Sequence, residues 1–248
     1  MCCLFLAASS TVAIAQTNVV DLVNPIIGTN GMGHTFPGAC VPFGLVQLSP
    51  DTDTIPHNVD GKYQPRSYEY CAGYQHKDSS IVGFSHTHFS GTGHSDLGDI
   101  LIMPTTGTLK LNPGTATNPD GGYRSRFSHD TEISRPGYYE VMLADYGVKA
   151  QLTTTQRVGI HKYTYPTNIE NQRIILDMIH GIYNYDGKVL WTNIRVENDT
   201  LVTGYRITNG WARTNYTYFA MSFSKPITHY GCEEKARVNY RGGYAKFN

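Results

Sequence analysis

The second half of the chain alternates apolar and polar residues with a period of two, the pattern of β-strands. Residues 139–143 place Tyr, Val and Leu on one face, and residues 148–154 repeat the pattern. Residues 174–179 place apolar side chains on both faces, with Asp177 as the one polar residue, which predicts a strand covered on both sides. Residues 190–196 and 201–207 flank a short polar segment that predicts a hairpin turn. Because no long stretch has helical periodicity, the chain is predicted to be an all-β protein, an antiparallel β-sandwich.

The first hundred residues have a different character. Gly, Pro, His and Asp dominate residues 28–44 and 49–67, and few residues there favour regular strands. Two short apolar runs, at 81–84 and 100–103, predict strands on either side of a loop. Long irregular loops on a β scaffold are usually functional or disordered, and the aromatic content here favours an ordered, functional region.

The loop at residues 83–96 (GFSHTHFSGTGHSD) contains three histidines and three glycines. Imidazoles and hydroxyls on a glycine-permissive backbone suit a loop that approaches a polar ligand closely. The alternative is a polar turn that satisfies its own hydrogen bonds. His86 and His88 would lie on one side of an extended chain, but no further histidine pair stands at a usual zinc spacing. The residues therefore do not predict a metal site.

Composition excludes some functions and favours others. The formal net charge is zero and only 16% of residues are charged, so nothing indicates binding to nucleic acid or to an anionic membrane. The eighteen tyrosines are typical of strands, and their rings and hydroxyls also suit neutral polar ligands such as sugars. The 248 residues suffice for one large β domain or two small ones.

The N-terminus has the pattern of a secretory signal peptide. Residues 4–8 are an apolar run, and Ala-Ile-Ala at 13–15 fits a cleavage site. We predict a signal peptide at 1–15 and an exported protein, and no later segment is long and apolar enough to span a membrane. Cleavage would remove two of the five cysteines and leave an odd number, whose pairing the sequence leaves open: Cys40, Cys71 and Cys232.

Several short motifs together resemble the N-terminal domain of glycoside hydrolase family 92, from residue 21 to the end. They are NPIIGT (24–29), GHTFPGA (33–39), PFGLVQLSPDT (42–52), AGY (72–74), the loop at 83–96, PGYY (136–139), TQRVGIH (155–161) and FSKP (223–226). The resemblance implies a large antiparallel two-sheet β-sandwich, a supersandwich of the galactose-mutarotase-like type. It also implies membership in a family of calcium-dependent, inverting exo-α-mannosidases.

The resemblance implies a particular division of labour between domains. Residues 16–248 would form the N-terminal β-sandwich domain, incomplete at its C-terminus, and the catalytic (α/α)6 domain that follows it in the family is absent from this sequence. In the family, that second domain carries the general acid, the base and most calcium ligands. No catalytic or metal-binding residue is therefore predicted in this chain, although its loop-rich half contains acidic residues, among them Asp51, Asp53, Asp78, Asp96 and Asp99.

The resemblance implies that loops of this domain close the mannose pocket, at residues 33–38 and 85–96. Three histidines there are predicted to donate hydrogen bonds to mannose hydroxyls: His34, His86 and His88. Phe36 or Tyr74 would offer an apolar face to the sugar ring, and Arg66 would be a bidentate hydroxyl donor. The alternative for each residue is a structural contact between domains or a satisfied core group.

We therefore predict the N-terminal domain of an exported, periplasmic or extracellular bacterial exo-α-mannosidase. The complete enzyme would use calcium to remove terminal mannose from glycans such as N-glycans with inversion, in partnership with the (α/α)6 domain. This chain alone would be inactive. Two alternatives stay open: a free-standing carbohydrate-binding module and a purely structural partner domain.

Overall fold

The structure is a computed structural model that describes residues 18–91, 96–169, 171–183, 185, 187–232 and 246–247. Its strands, numbered β1–β17 in chain order, are Ala39–Cys40, Gln47–Asp51, Asn58–Val59, Lys62–Tyr63, Ser80–Ile81, Gly83–Ser85, Leu101–Thr105, Ser125–Arg126, Ile133–Arg135, Tyr138–Leu143, Val148–Thr154, Gly159–Thr164, Arg173–Asp177, Val189–Asn198, Leu201–Thr208, Asn215–Ser222 and Lys246–Phe247. The helices are short 3-10 turns: Val19–Leu22, Pro65–Tyr70, Pro119–Gly121 and His129–Thr131. The all-β prediction is confirmed.

Three sheets form the body of the described chain. The largest has the strand order β1-β2-β6-β7-β13-β17, and the others have the orders β12-β11-β10-β9 and β14-β15-β16. Two small pairs, β3-β4 and β5-β8, lie outside these sheets. Neighbouring strands are antiparallel in every pair that is described, as the sequence predicts.

The largest sheet is covered on both faces, which gives the sandwich its core. Met103 and Ile175 point into one apolar cluster, together with the inner residues of β10 and β11. Their neighbours Ile102 and Leu176 point into a second cluster, together with Val202 of β15. The prediction that residues 174–179 are covered on both sides is therefore confirmed, and the apolar run reflects a strand at the centre of a β-sandwich.

The alternating segments fold into the hairpins that they predict. In β10 and β11 the buried residues alternate with more exposed ones, and the two strands pair from Tyr138↔Thr153 to Leu143↔Val148. The β14-β15 hairpin closes at Asn198↔Leu201, where the polar turn was predicted. One buried face is enough to fix the register of such strands.

The irregular first half contributes two strands to the largest sheet that carry the candidate site. Strand β2 is almost entirely buried, and it pairs with β6 at Ser49↔Ser85 and Asp51↔Gly83. The loop after β6 therefore starts beside Gln47, the first residue of β2, whose backbone N–H donates to the carbonyl oxygen of His86 at 2.9 Å.

Of the three cysteines in the described part of the chain, Cys71 is buried, whereas Cys40 and Cys232 are exposed. The predicted signal peptide lies outside the described residues. Within those residues, no helix has the length and apolar character needed to cross a membrane.

Candidate functional site

The candidate site is built around the carboxylate of Asp51, at the end of β2. Nε2 of His88 lies 2.8 Å from Oδ1 of Asp51, and Nε2 of His180 lies 2.6 Å from Oδ2. Ser85 Oγ also lies 3.1 Å from Nε2 of His88. These side chains are buried almost completely. The Asp51 carboxylate thereby connects the end of β2 to the histidine-rich loop and to the segment after β13.

Hydrogen-bond partners define the charge state of this network. Burial by itself raises the pKa of Asp51. Electrostatic attraction to His88 and His180, together with the hydrogen bonds from both histidines, outweighs burial and holds this pKa below its ordinary value. Nδ1 of His88 lies 2.7 Å from the carbonyl oxygen of Gln47, an acceptor. Both ring nitrogens of His88 thus face acceptors, and they are satisfied when each carries a hydrogen. The arrangement suits a buried, hydrogen-bonded ion pair between His88 and Asp51.

Gly73 makes this network possible. Its φ angle is +80°, in the left-handed region. A Cβ at this position would lie 2.0 Å from Oδ1 of Asp51 and 3.2 Å from Nε2 of His88. The AGY motif therefore has a physical basis, because only glycine lets the backbone pass over the Asp51 carboxylate.

His86 takes part in a second chain of hydrogen bonds. Its Nδ1 donates to the carbonyl oxygen of Ile100 at 2.6 Å, so in the neutral ring its Nε2 is an acceptor. Nε2 of His161 lies 3.0 Å away and donates to it, while the Tyr163 hydroxyl lies 2.7 Å from Nδ1 of His161. A second proton on His86 would place two hydrogens between the two Nε2 atoms.

The surroundings of this pair keep both imidazoles neutral. Burial lowers the pKa of His86 to about 4. Burial and the charge of His86 lower the pKa of His161 well below its ordinary value. Gly159 makes room for the pair, because a Cβ there would lie 2.9 Å from Cδ2 of His86. The TQRVGIH motif thus supplies both the glycine and the partner histidine.

His34 and Phe36 lie at the edge of the Asp51 network. The Phe36 ring centre lies 5.2 Å from that of His88, and the His34 ring packs edge-on against Tyr68 at 4.7 Å. The His34 carbonyl accepts a hydrogen bond of 2.6 Å from the backbone of Gly91, so the two predicted loops meet here. Nε2 of His34 is buried without a hydrogen-bond partner among the described residues. Burial lowers the pKa of His34, which favours the neutral ring.

The remaining predicted residues lie in other surroundings. Arg66 is exposed on the 3-10 helix Pro65–Tyr70. The Tyr74 ring is 1% exposed, and its hydroxyl donates to Glu132 at 2.9 Å. The structure thus brings together His34, Phe36 and His88, while Arg66 is at the surface and Tyr74 in the core. Whether any of the six contacts a sugar stays a prediction.

Most aspartates of the loop-rich half have partners within the chain. Asp53 pairs with Arg124 at 3.1 Å, Asp96 accepts from the Trp211 backbone at 3.0 Å, and Asp99 accepts from Thr87 at 2.7 Å. Asp78 accepts from the Tyr70 hydroxyl at 3.0 Å, but its Oδ2 is buried without a partner among the described residues, and burial raises its pKa.

Sequence reasoning missed His180 and Gln47, which complete the Asp51 network. His180 stands 129 positions from Asp51, and no spacing pattern connects the two. Gln47 lies within a family motif, and it holds His88 through its backbone carbonyl oxygen and through its side-chain Oε1, which accepts from the backbone N–H of His88 at 3.2 Å; the sequence reveals neither contact. The signal that was available is the position of Asp51 at the end of the PFGLVQLSPDT motif.

A surface groove of about 480 Å³ lies elsewhere, along the 3-10 helix Val19–Leu22 and strands β9 and β10. Its lining residues are Val20, Asp21, Ile133, Arg135, Pro136, Tyr138 and Glu140. It contains none of the predicted site residues.

Comparison with protein families finds a match over almost the whole chain. Residues 22–247 match the glycosyl hydrolase family 92 N-terminal domain. A curated relative from the fungus Arthroderma benhamiae, described as an uncharacterized secreted glycosidase, is 29% identical over 169 residues, which are 64% of this chain and 19% of the relative.

Solved structures give a similar result. A family GH92 α-mannosidase from Bacteroides thetaiotaomicron, solved in complex with mannoimidazole, is 40% identical with a TM-score of 0.80, over 92% of this chain and 30% of its own. A further GH92 family glycosyl hydrolase, ccman5, is 22% identical with a TM-score of 0.68 over 93% of this chain and 30% of its own, and supports the fold. The chain thus spans less than a third of each of these relatives.

Proposed function

Because this chain belongs to glycosyl hydrolase family 92, whose N-terminal domain matches residues 22–247, we propose that it is the N-terminal part of an exported exo-α-mannosidase. The observation that carries the proposal is the 40% identity, over 92% of the chain, with an α-mannosidase solved in complex with mannoimidazole. The complete enzyme would remove terminal mannose from glycans, N-glycans included, with inversion. The secreted relative and the signal-like N-terminus support export.

We assign the mannose pocket to the edge formed by His34 and Phe36. Nε2 of His34 is a buried polar atom without a partner among the described residues, and such an atom is costly unless something satisfies it. A mannose hydroxyl would satisfy it when the two domains of the enzyme meet. Phe36 beside it would supply the apolar face on which a sugar ring packs.

His86 and His88 would support the pocket indirectly, without contacting the sugar. Both nitrogens of each ring are engaged within the chain, so neither ring has a free donor for a sugar hydroxyl. Their role would be to hold the loop after β6 in place. This role corresponds to the alternative considered for each predicted residue, a structural contact or a satisfied core group. Arg66, at the surface, would contact substrate only if the partner domain approaches the 3-10 helix Pro65–Tyr70.

Catalysis and calcium binding would belong to the (α/α)6 domain. Inversion needs two carboxyl groups about 6.5–9.5 Å apart around the scissile bond, and we assign neither to this chain. Among the described residues, the one group of metal-ligating side chains that lie close together contains two imidazoles and one carboxylate. Calcium prefers six to eight oxygen ligands, so this group does not fit it.

A domain exchange tests the proposed role. Residues 18–248 would replace the N-terminal domain of the Bacteroides thetaiotaomicron α-mannosidase, and hydrolysis of an aryl α-mannoside would be measured. We expect an active enzyme in which His34→Gln lowers kcat/KM by about 3- to 10-fold, the effect of losing one neutral hydrogen bond.

The exposed His57 provides the matched control, because His57→Gln also exchanges imidazole for amide. The melting temperature of each variant would separate loss of a pocket contact from loss of folding. Equal kcat/KM for His34→Gln and His57→Gln would contradict the pocket assignment. A folded but inactive exchange enzyme would contradict the proposed function as a whole.

A further inference from the structure

Three potential metal ligands meet at the surface, apart from the candidate site. His76, His129 and Glu132 each offer one ligating atom, and these atoms all lie within 4.8 Å of one another. His129 and Glu132 belong to the segment that leads into β9, whereas His76 follows the AGY motif. The backbone N–H of His76 donates to the carbonyl oxygen of Thr29 at 2.8 Å, which fixes its position.

Glu132 has the surroundings of a positioned ligand. Its side chain is only 3% exposed. The Tyr139 hydroxyl donates to Oε1 at 2.6 Å, and the Tyr74 hydroxyl lies 2.9 Å from Oε1 and 3.0 Å from Oε2. Hydrogen bonds from outer groups orient metal-ligating carboxylates in this way. Oε2 faces His129, whose Nδ1 lies 2.6 Å away.

The two histidines complete a set that is open to solvent on one side. Their rings lie face to face, with centres 4.0 Å apart and planes inclined by 33°. Nδ1 of His76 is buried without a hydrogen-bond partner among the described residues. The His129 side chain is 37% exposed, which gives an ion and its water a path to the cluster.

We propose that His76, His129 and Glu132 bind a divalent transition-metal ion, and that zinc fits the donor set best. Zinc bonds to imidazole nitrogen and carboxylate oxygen at about 2.0–2.2 Å, so its ligand atoms stand roughly 3.3 Å apart in a tetrahedron. Small side-chain rotations would bring the three ligand atoms to that spacing. The fourth position would hold water. The ion would also balance the charge of a buried carboxylate whose ion-pair partner is a partly exposed histidine.

The ion would link two segments that are distant in the sequence. Tyr74 and Glu132 stand 58 positions apart, and the metal would add a second connection beside their hydrogen bond. Because a ligand that binds only the folded state stabilises it, zinc is expected to raise the melting temperature. This inference does not depend on the proposed mannosidase function.

Calorimetric titration with zinc chloride tests the site directly. The protein would carry no histidine tag and would be freed of metal with a chelator. Its exposed thiols, Cys40 and Cys232, would be alkylated first because thiolates also bind zinc. We expect saturable binding of one ion per chain. His129→Asn, at an exposed position, should lower the affinity at least tenfold without unfolding the protein, and Tyr139→Phe about tenfold.

The matched control is His229→Asn, at an exposed histidine outside the cluster. It should bind zinc like the unmodified chain. Cobalt provides a second measurement, because bound Co²⁺ should give a visible absorption band that His129→Asn removes. Absence of saturable binding would overturn the proposal. So would equal zinc affinity in His129→Asn, His76→Asn and the control.

Discussion

At the scale of single residues, the carboxylate of Asp51 connects three segments that are distant in the sequence. His88 comes from the loop after β6, His180 from the segment after β13, and Gly73 lies against the carboxylate. Removing one partner of a buried ion pair leaves an uncompensated charge, at a cost of about 3–5 kcal/mol. The loop after β6 is therefore held by a network in which each member depends on the others.

Gly73→Ala should break this network. The new Cβ would overlap Oδ1 of Asp51, and the positive φ adds strain of its own. We expect the free energy of unfolding to fall by more than about 2 kcal/mol in urea titrations. Gly61→Ala is the matched control, because Gly61 has a φ of +76° but no atom within 4 Å of the added Cβ, so only about 1 kcal/mol should be lost. Equal losses at both positions would contradict the steric account.

The neutral His86–His161 pair predicts a pH dependence of stability. The pKa of His86 is about 4 in the folded chain and about 6.5 when unfolded, so the unfolded state takes up the proton first as the pH falls. The free energy of unfolding should therefore decrease between pH 6.5 and pH 4, by up to about 3 kcal/mol for this residue.

Urea titrations across that pH range would measure the effect. His86→Gln removes the titrating ring and keeps a donor for the Ile100 carbonyl, so its stability should fall less steeply below pH 6.5. The same slope in the variant and in the unmodified chain would assign the pH dependence to other groups.

The sequence predicted which segments meet at the site better than it predicted the hydrogen bonds between them. The motifs that contain His34, Phe36, Gly73 and His88 do meet in space. Their partners His180 and Gln47 were not predicted, because a contact over 129 positions or to a backbone carbonyl depends on tertiary folding. Likewise, the histidine-rich loop drew attention to metal binding, whereas the cluster that could hold a metal draws on His76, His129 and Glu132.

At the scale of elements, predictability follows the environment of each strand. Strands β10 and β11 have one buried face, so the alternation in their sequence predicted them closely. Strand β2 is buried on nearly every residue and contains a proline, so its sequence has no alternation to detect. It exists because it pairs with β6 and packs in the core.

The two faces of the β9–β12 sheet should respond differently to truncation. Leu152 in β11 is 1% exposed, whereas Ile160 in the neighbouring β12 is 48% exposed. We expect Leu152→Ala to lower the free energy of unfolding by about 2–5 kcal/mol, and Ile160→Ala by about 0.5 kcal/mol or less. Urea denaturation measures both. Similar losses for the two variants would contradict the assignment of the buried face.

At the scale of the whole molecule, the β-sandwich is a scaffold that carries loops from its first half to one place. The sheets contain alternating strands such as β10 and β11. Four of the family motifs, at residues 33–39, 42–52, 72–74 and 83–96, supply residues that lie around the Asp51 carboxylate and its partner His88. The matched region covers 30% of the solved α-mannosidase, so under our proposal the activity would depend on more chain than this domain. The domain's contribution would be shape and rigidity at the edge of a pocket.

The chain without its first fifteen residues is therefore expected to release no nitrophenol from a nitrophenyl α-mannoside, even with calcium. The Bacteroides thetaiotaomicron enzyme would be the positive control. Turnover would contradict our proposal and direct attention to Asp78, whose pKa is raised by burial, as a general acid requires.

Calorimetry with mannose in the same samples separates two further possibilities. Binding without turnover would favour a free-standing carbohydrate-binding module. Neither binding nor turnover would agree with a domain whose His34 edge becomes a pocket only when the catalytic domain covers it.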